Sequence, residues 1–183
     1  MKILCIGDSN TYGYDPRSYL GSRYPAGVPW PDRLLGHNVI NYGMNGMCVP
    51  DARSLFPELI RSRDPDLVIV MLGGNDLLNG ASAERTAVRM AEFLDPLAAA
   101  GRPILLIAPP PLQEGSWVPD QDLIDGSKKL AGLYRELAKE KGSLFADAGT
   151  WDVDLLFDGV HFSPEGHAAF ARGLSEVLDR LSG

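Results

Sequence analysis

Cysteine is scarce in this chain: Cys5 and Cys48 are its two thiols among 183 residues. Two cysteines in no recognisable spacing argue against a disulfide framework and for reduced thiols in a reducing compartment. Positive charge is short as well, with 17 Lys and Arg against 24 Asp and Glu and a formal net charge of -7. That balance argues against a nucleic-acid or anionic-membrane surface as partner. No apolar run approaches the roughly 20 residues that span a bilayer. The N-terminus lacks the basic region, apolar stretch and cleavage site of a signal peptide, so a soluble cytoplasmic protein is the expectation. No phosphate-binding G-x-x-x-x-G-K-[ST] loop occurs, and the glycines after the first apolar run do not fit a dinucleotide fingerprint. No pair of His, Cys or acidic residues has a convincing ligand spacing, so neither metal nor cofactor is expected.

What is present is an ordinary globular composition, 45% hydrophobic and 22% charged, in a length that suits one domain over residues 1–183. Short apolar runs at 2–7, 37–43, 66–73, 103–110 and 143–149 alternate with helical patterns near 51–63, 83–100, 121–141 and 164–182. The third and fourth runs are apolar throughout, as expected of strands buried on both faces of a parallel sheet. Alternation of strand and helix then predicts an α/β fold in three layers, with about five parallel strands and right-handed crossovers. Ser163-Pro164-Glu165 reads as a helix start, and Lys139, Lys141 and Gly142 as a helix end. Pro96 is expected to kink the 83–100 pattern or split off its last turn.

Two stretches resist regular assignment. One runs from Tyr12 to Pro31 and holds Tyr14, Tyr19, Tyr24 and Trp30; the other is "PPPLQEGSWVPD", from Pro109 to Asp120. Each follows a strand and so falls at the carboxyl edge of the sheet, where open α/β sheets bind ligands.

The same edge collects chemically complementary groups. Strand one ends in Gly7-Asp8-Ser9-Asn10, strand two leads into "NYGMNG" with Gly46, and strand three into "GGND" with Asn75 and Asp76. "DGVHFSPEGH", with Asp158 and His161, precedes the last helix. Each piece alone reads as a turn: Ser9 as a turn or cap residue, Asp76 as a cap for backbone N–H groups, Asp158-Gly159 as a turn, His161 as a surface histidine. Together they meet the needs of acyl transfer. A serine nucleophile requires a base in reach and an acid that orients the base. Asp158 and His161, three residues apart, can meet across a turn and leave the second imidazole nitrogen facing Ser9. An oxyanion requires donors in place, and Ser9 N–H, Gly46 N–H and the Asn75 amide supply three.

These four blocks, "GDSN", the glycine of "NYGMNG", "GGND" and "DGVH", resemble in order and placement those of the SGNH hydrolase (GDSL-like esterase/lipase) superfamily. The opening "ILCIGDSNTYGYDP" and the closing "DGVHFSPEGH" are similar to its small bacterial arylesterase and acyltransferase branch. That branch often has tryptophan where this chain has Tyr12. Asn10 stands where the name-giving motif has leucine, a position that varies among relatives. The resemblance implies a flavodoxin-like α/β/α sandwich, ester hydrolysis, Ser9 as nucleophile and first oxyanion donor, Gly46 and Asn75 as further donors, and Asp158 and His161 as acid and base. It also implies a homo-oligomer.

Three histidines narrow the choice of base. His37 precedes strand two and belongs at the opposite edge of the sheet; His167 lies inside the last helix, packed or solvent-facing. Histidine is the side chain suited to proton transfer near neutrality, and His161 is the one at the carboxyl edge. Tyr12, Tyr14, Trp30 and Trp117 are candidates for walls of an acyl or aryl pocket, with loop packing as the equal alternative. The expected activity is that of a serine esterase acting on a small-molecule substrate, a short acyl ester such as an aryl ester or an acetylated carbohydrate. An acyltransferase using the same residues and a non-catalytic glycan- or nucleotide-binding module are the alternatives.

Overall fold

A computed structural model describes residues 1–18 and 20–182; Tyr19, counted above in the first aromatic loop, lies outside the described residues. Among the described residues, five strands form one sheet: β1 (Lys2–Gly7), β2 (Asn38–Gly43), β3 (Leu67–Met71), β4 (Ile104–Ala108) and β5 (Leu144–Asp147). Every pairing is parallel and the spatial order is β2-β1-β3-β4-β5. That is the flavodoxin-like order, whose reversal point lies at the first strand.

Period-two alternation divides each central strand between two cores. Leu4, Ile6, Val68, Val70, Ile104 and Leu106 point to one face. There they meet Phe56 and Ile60 of α2 (Val49–Arg63), Phe93 and Leu97 of α4 (Ala83–Ala99), and Leu130 and Tyr134 of α5 (Gln121–Lys141). Ile3, Cys5, Ile69, Met71, Leu105 and Ile107 point to the other face, against Phe170, Leu174 and Leu178 of α6 (Pro164–Ser182). Truncating any of these large buried side chains to alanine should cost about 2–5 kcal/mol, because the lost burial is compounded by a cavity.

The sequence expectation for strands and long helices holds, with ends shifted by at most two residues. The helix α4 runs through Pro96 to Ala99 without losing its last turn. Two short helices were not expected: α1 (Ser9–Tyr12) and α3 (Gly74–Leu78). "GDSN" is therefore the start of a one-turn helix rather than a plain turn, with Asp8 as its N-cap accepting from Asn10 N–H at 3.0 Å. Four and five residues are too short for hydrophobic periodicity to announce, and both helices owe their existence to tertiary packing. Gly43 shows how tight that packing is: a Cβ there would lie 2.1 Å from the Tyr12 backbone nitrogen. Only glycine lets the end of β2 approach α1.

The strand order positions the site. Because β1 lies between β2 and β3, the loop after β2 and the helix after β3 flank the segment that follows β1. Asp8 follows β1 directly, and Ser9, the next residue, opens α1.

Candidate active site

Ser9 opens α1 and is buried. Its Oγ lies 3.1 Å from His161 Nε2, and His161 Nδ1 lies 2.7 Å from Asp158 Oδ2. The three side chains form one hydrogen-bonded series although 152 residues separate the first two. Asp158 is wholly buried; its Oδ1 accepts from the N–H groups of Val160 and His161, each at 2.9 Å. Burial pushes the Asp158 carboxyl up, but the His161 ring and the two backbone N–H groups outweigh it and hold the group below the usual carboxylate range. A local Asp-x-x-His turn thus presets the imidazole, with Nδ1–H directed to Asp158 and Nε2 directed to the hydroxyl. Such a series can remove a proton from the serine as its oxygen attacks a carbonyl carbon.

The two candidate donors lie on the segments that follow β2 and β3. Gly46, in the exposed turn before α2, has φ +74°, a left-handed conformation that favours glycine, and open space where a Cβ would stand. Asn75, on α3, donates one amide hydrogen to Met47 O at 3.1 Å, which ties α3 to the Gly46 turn and leaves the second amide hydrogen for an incoming oxygen. Asp76, fully buried, accepts from Val49 N–H at 2.9 Å and from Arg89 at 2.9 Å. It caps the start of α2 as the sequence suggested and takes no place beside Ser9. A small cavity of about 20 Å³ is lined by Asp8, Ser9, Asn75, Leu112, Val160 and other side chains. Asp8 in that lining is 5% exposed, and burial raises its carboxyl to about 6 against the pull of the Asn10 N–H.

Two of the candidate aromatics cover the imidazole. The Tyr14 ring lies 4.9 Å from that of His161 at a tilt of 52°, and Trp117 lies 5.1 Å away, edge-on. Tyr12 ends α1 half-buried, its carbonyl accepting from Arg23 Nε at 2.7 Å. Trp30 is the exception and is no pocket wall. The 3-10 turn Trp30–Arg33 folds its indole into the α6-side core, fully buried and 4.8 Å from Phe170. Burying so large an apolar ring outweighs leaving it in a loop. His167 is also fully buried, accepting the Trp30 N–H at 3.3 Å. His37 precedes β2 at the amino edge, where the next residue's N–H donates to Met1 O. The closing helix starts as expected, with Ser163 Oγ accepting from Gly166 N–H at 2.9 Å.

Asn10 has more to do than its sequence position indicated. Its amide donates to Val160 O at 3.0 Å and accepts from Phe162 N–H at 2.9 Å, gripping the backbone on both sides of His161. Tyr24 adds a bond from its hydroxyl to Phe162 O at 3.1 Å. The sequence signal was an amide at a position where related motifs carry leucine. Among the described residues no group of three His, Cys, Asp or Glu side chains could hold a metal ion, and no helix is long and apolar enough to cross a membrane.

A parallel α/β sandwich with serine, histidine and carboxylate in series at its carboxyl edge defines the class of SGNH-type hydrolases. Residues 5–169 match the GDSL-like Lipase/Acylhydrolase family. A carbohydrate acetylesterase family member from Sinorhizobium meliloti is 29% identical and superposes with a TM-score of 0.88, covering 98% of each chain. The aryl esterase of M. smegmatis is 26% identical with a TM-score of 0.87, over 98% of this chain and 99% of its own. An acetylxylan esterase of Geobacillus stearothermophilus is 27% identical over 202 residues, covering 93% of this chain and 90% of the relative. The chain belongs to the GDSL-like lipase/acylhydrolase family and is a hydrolase of ester bonds.

Proposed function

We propose that the chain is a serine esterase for short acyl esters, working through Ser9, His161 and Asp158. The observation that carries this reading is the unbroken series from Ser9 Oγ to His161 Nε2 at 3.1 Å and from His161 Nδ1 to Asp158 Oδ2 at 2.7 Å. His161 accepts the Ser9 proton as Oγ bonds to the ester carbonyl carbon, and the carbonyl oxygen takes the displaced electron pair. Ser9 N–H, Gly46 N–H and the remaining Asn75 amide hydrogen receive that oxyanion. Collapse of the intermediate breaks the ester C–O bond, and His161 returns its proton to the leaving alcohol. A water then attacks the acyl-enzyme by the same route, releasing the carboxylic acid and restoring Ser9. Asp158, held ionised by its three hydrogen bonds, stabilises the imidazolium in both halves.

The space beside Ser9, about 20 Å³, holds little more than one water-sized sphere, which argues against a long acyl chain seated there. Similarity to acetylesterases and an aryl esterase supports acetylated carbohydrates or aryl acetates as the substrate class. The test is a panel of p-nitrophenyl esters of increasing acyl length together with acetylated xylose and glucose, run on wild type and Ser9→Ala. Turnover that is highest for acetate and abolished in Ser9→Ala is expected. A wild type inactive across the panel, or a Ser9→Ala variant with full turnover, sinks the reading.

A further inference from the structure

Asp158 and His161 belong to one loop, and their mutual bonds span three residues. Those bonds orient the imidazole within its loop, but they say nothing of where the loop stands relative to Ser9, on a helix at the far end of the chain. A chain of side chains that works by proton transfer needs that second distance fixed as firmly as the first, because misplacement by an ångström can cost a hundredfold in rate. Among the described residues, the hydrogen bonds between α1 and the segment 158–163 are the Ser9–His161 contact and two others. Both others come from the side chain of Asn10.

We propose that Asn10 is the positioning residue that sets the Ser9–His161 distance, its carboxamide stapling the residues on either side of His161 to the helix that carries the nucleophile. A carboxamide donates and accepts at once. Here Nδ2 donates to the carbonyl before His161, and Oδ1 accepts from the N–H after it, at 3.0 and 2.9 Å. The pair imitates a backbone bridge, so His161 is gripped from both sides while its ring remains turned to Ser9. Asn10 is itself anchored one residue from Ser9, its backbone N–H held by Asp8 Oδ1 at 3.0 Å. Leucine has the same γ-branched outline and offers neither bond.

The inference rests on the Ser9–His161–Asp158 reading above and is testable apart from it. Asn10→Leu removes both bonds while keeping the γ-branched outline, and Asn10→Ser is a smaller, polar second variant. With p-nitrophenyl acetate the expected result is a kcat lower by about 10- to 100-fold with KM within about twofold of wild type. The low-field proton resonance of His161 Nδ1–H, bonded to Asp158, should persist, since that pair is internal to its loop. A merely structural Asn10 would lose this resonance and raise KM together with the fall in kcat, and that outcome overturns the proposal. So does a kcat within twofold of wild type in either folded variant, or failure of both variants to fold. Ser9→Ala, measured beside them, separates the two levels. If it is inactive while Asn10→Leu is unimpaired, the staple alone is refuted. If Ser9→Ala retains turnover, the parent reading fails and the staple with it.

Discussion

His161 and His167 stand on the two sides of the start of α6, both almost completely buried, at 3% and 0% exposure. Their surroundings differ in kind. His161 has a carboxylate on one nitrogen and a hydroxyl on the other. His167 accepts one backbone N–H from Trp30, has no partner for Nε2 among the described residues, and is walled by the rings of Tyr24 and Phe162 at 5.3 Å each. Burial, reinforced by the positive field of Arg33 and Arg23, lowers the His167 pKa to about 3. It stays neutral and serves as packing. Burial of a histidine is therefore no mark of a base; what distinguishes one is an acceptor behind it and a proton in front of it.

The largest expected effect divides the two residues directly. Replacing His161 by alanine should lower kcat for p-nitrophenyl acetate by about 10⁴-fold or more, in line with the removal of a general base from such a series. His167→Gln should leave kcat within about threefold in the folded protein while lowering its thermal midpoint. A greater loss of turnover at position 167 than at 161 would reverse the assignment. Next comes Asp158→Asn, for which a fall in kcat of about 10³- to 10⁴-fold is expected, because the amide can present the wrong proton to Nδ1. Little change there would mean that His161 needs no orienting acid.

pH sharpens the comparison through stability. The folded pKa of His167, about 3, is below its unfolded value near 6.5. Between those values the unfolded chain binds the extra proton, so stability falls as pH falls through 6.5 toward 3. The loss from this group should be about 2 kcal/mol between pH 6.5 and 4.5, read from urea midpoints, and His167→Gln should flatten the slope. Asp8 has the opposite sign. Its folded pKa of about 6 exceeds the model-compound value of 3.8, so its contribution is complete below 3.8 and lost as pH rises through 6. Asp8→Asn, which can still cap α1, should be more stable than wild type at pH 8 by about 1–3 kcal/mol. That advantage should vanish near pH 4; equal stability at both pH values would count against a strained Asp8. The smallest effect is expected at Trp117, half-exposed against the edge of the His161 ring. Trp117→Ala should reduce kcat/KM by about two- to fivefold, by loosening one wall of the imidazole.

The layers of the fold were legible because each central strand is apolar on both faces and each long helix carries its own period and cap. Val68 and Ile69 point to different cores, yet each reports burial to a reader of the sequence. The four site blocks were legible for a related reason: parallel strands deliver their following loops to one edge whatever the details between them. The short helices α1 and α3 were invisible, since one turn of helix has no periodicity and survives by packing on neighbours. For Trp30 the sequence left pocket wall and loop packing equally open, and the structure shows packing, because whether a loop folds inward carries no periodic signal. The part Asn10 plays leaves no trace in the sequence, because its partners, the backbone groups of Val160 and Phe162, carry no letter there.

The chain by itself thus determined the alternation of strand and helix, the chemistry available at the carboxyl edge, and the pairing of Asp158 with His161 across three residues. Those are consequences of local spacing and of the two-residue and 3.6-residue repeats. Only tertiary structure decided that Ser9 and His161 stand 3.1 Å apart, that Asn10 rather than a leucine joins their loops, and that of two buried histidines one faces a hydroxyl and the other faces rings. Each of these depends on contacts between segments some 140 to 150 residues apart, whose geometry comes from the packing of two cores and leaves no periodic trace in the chain.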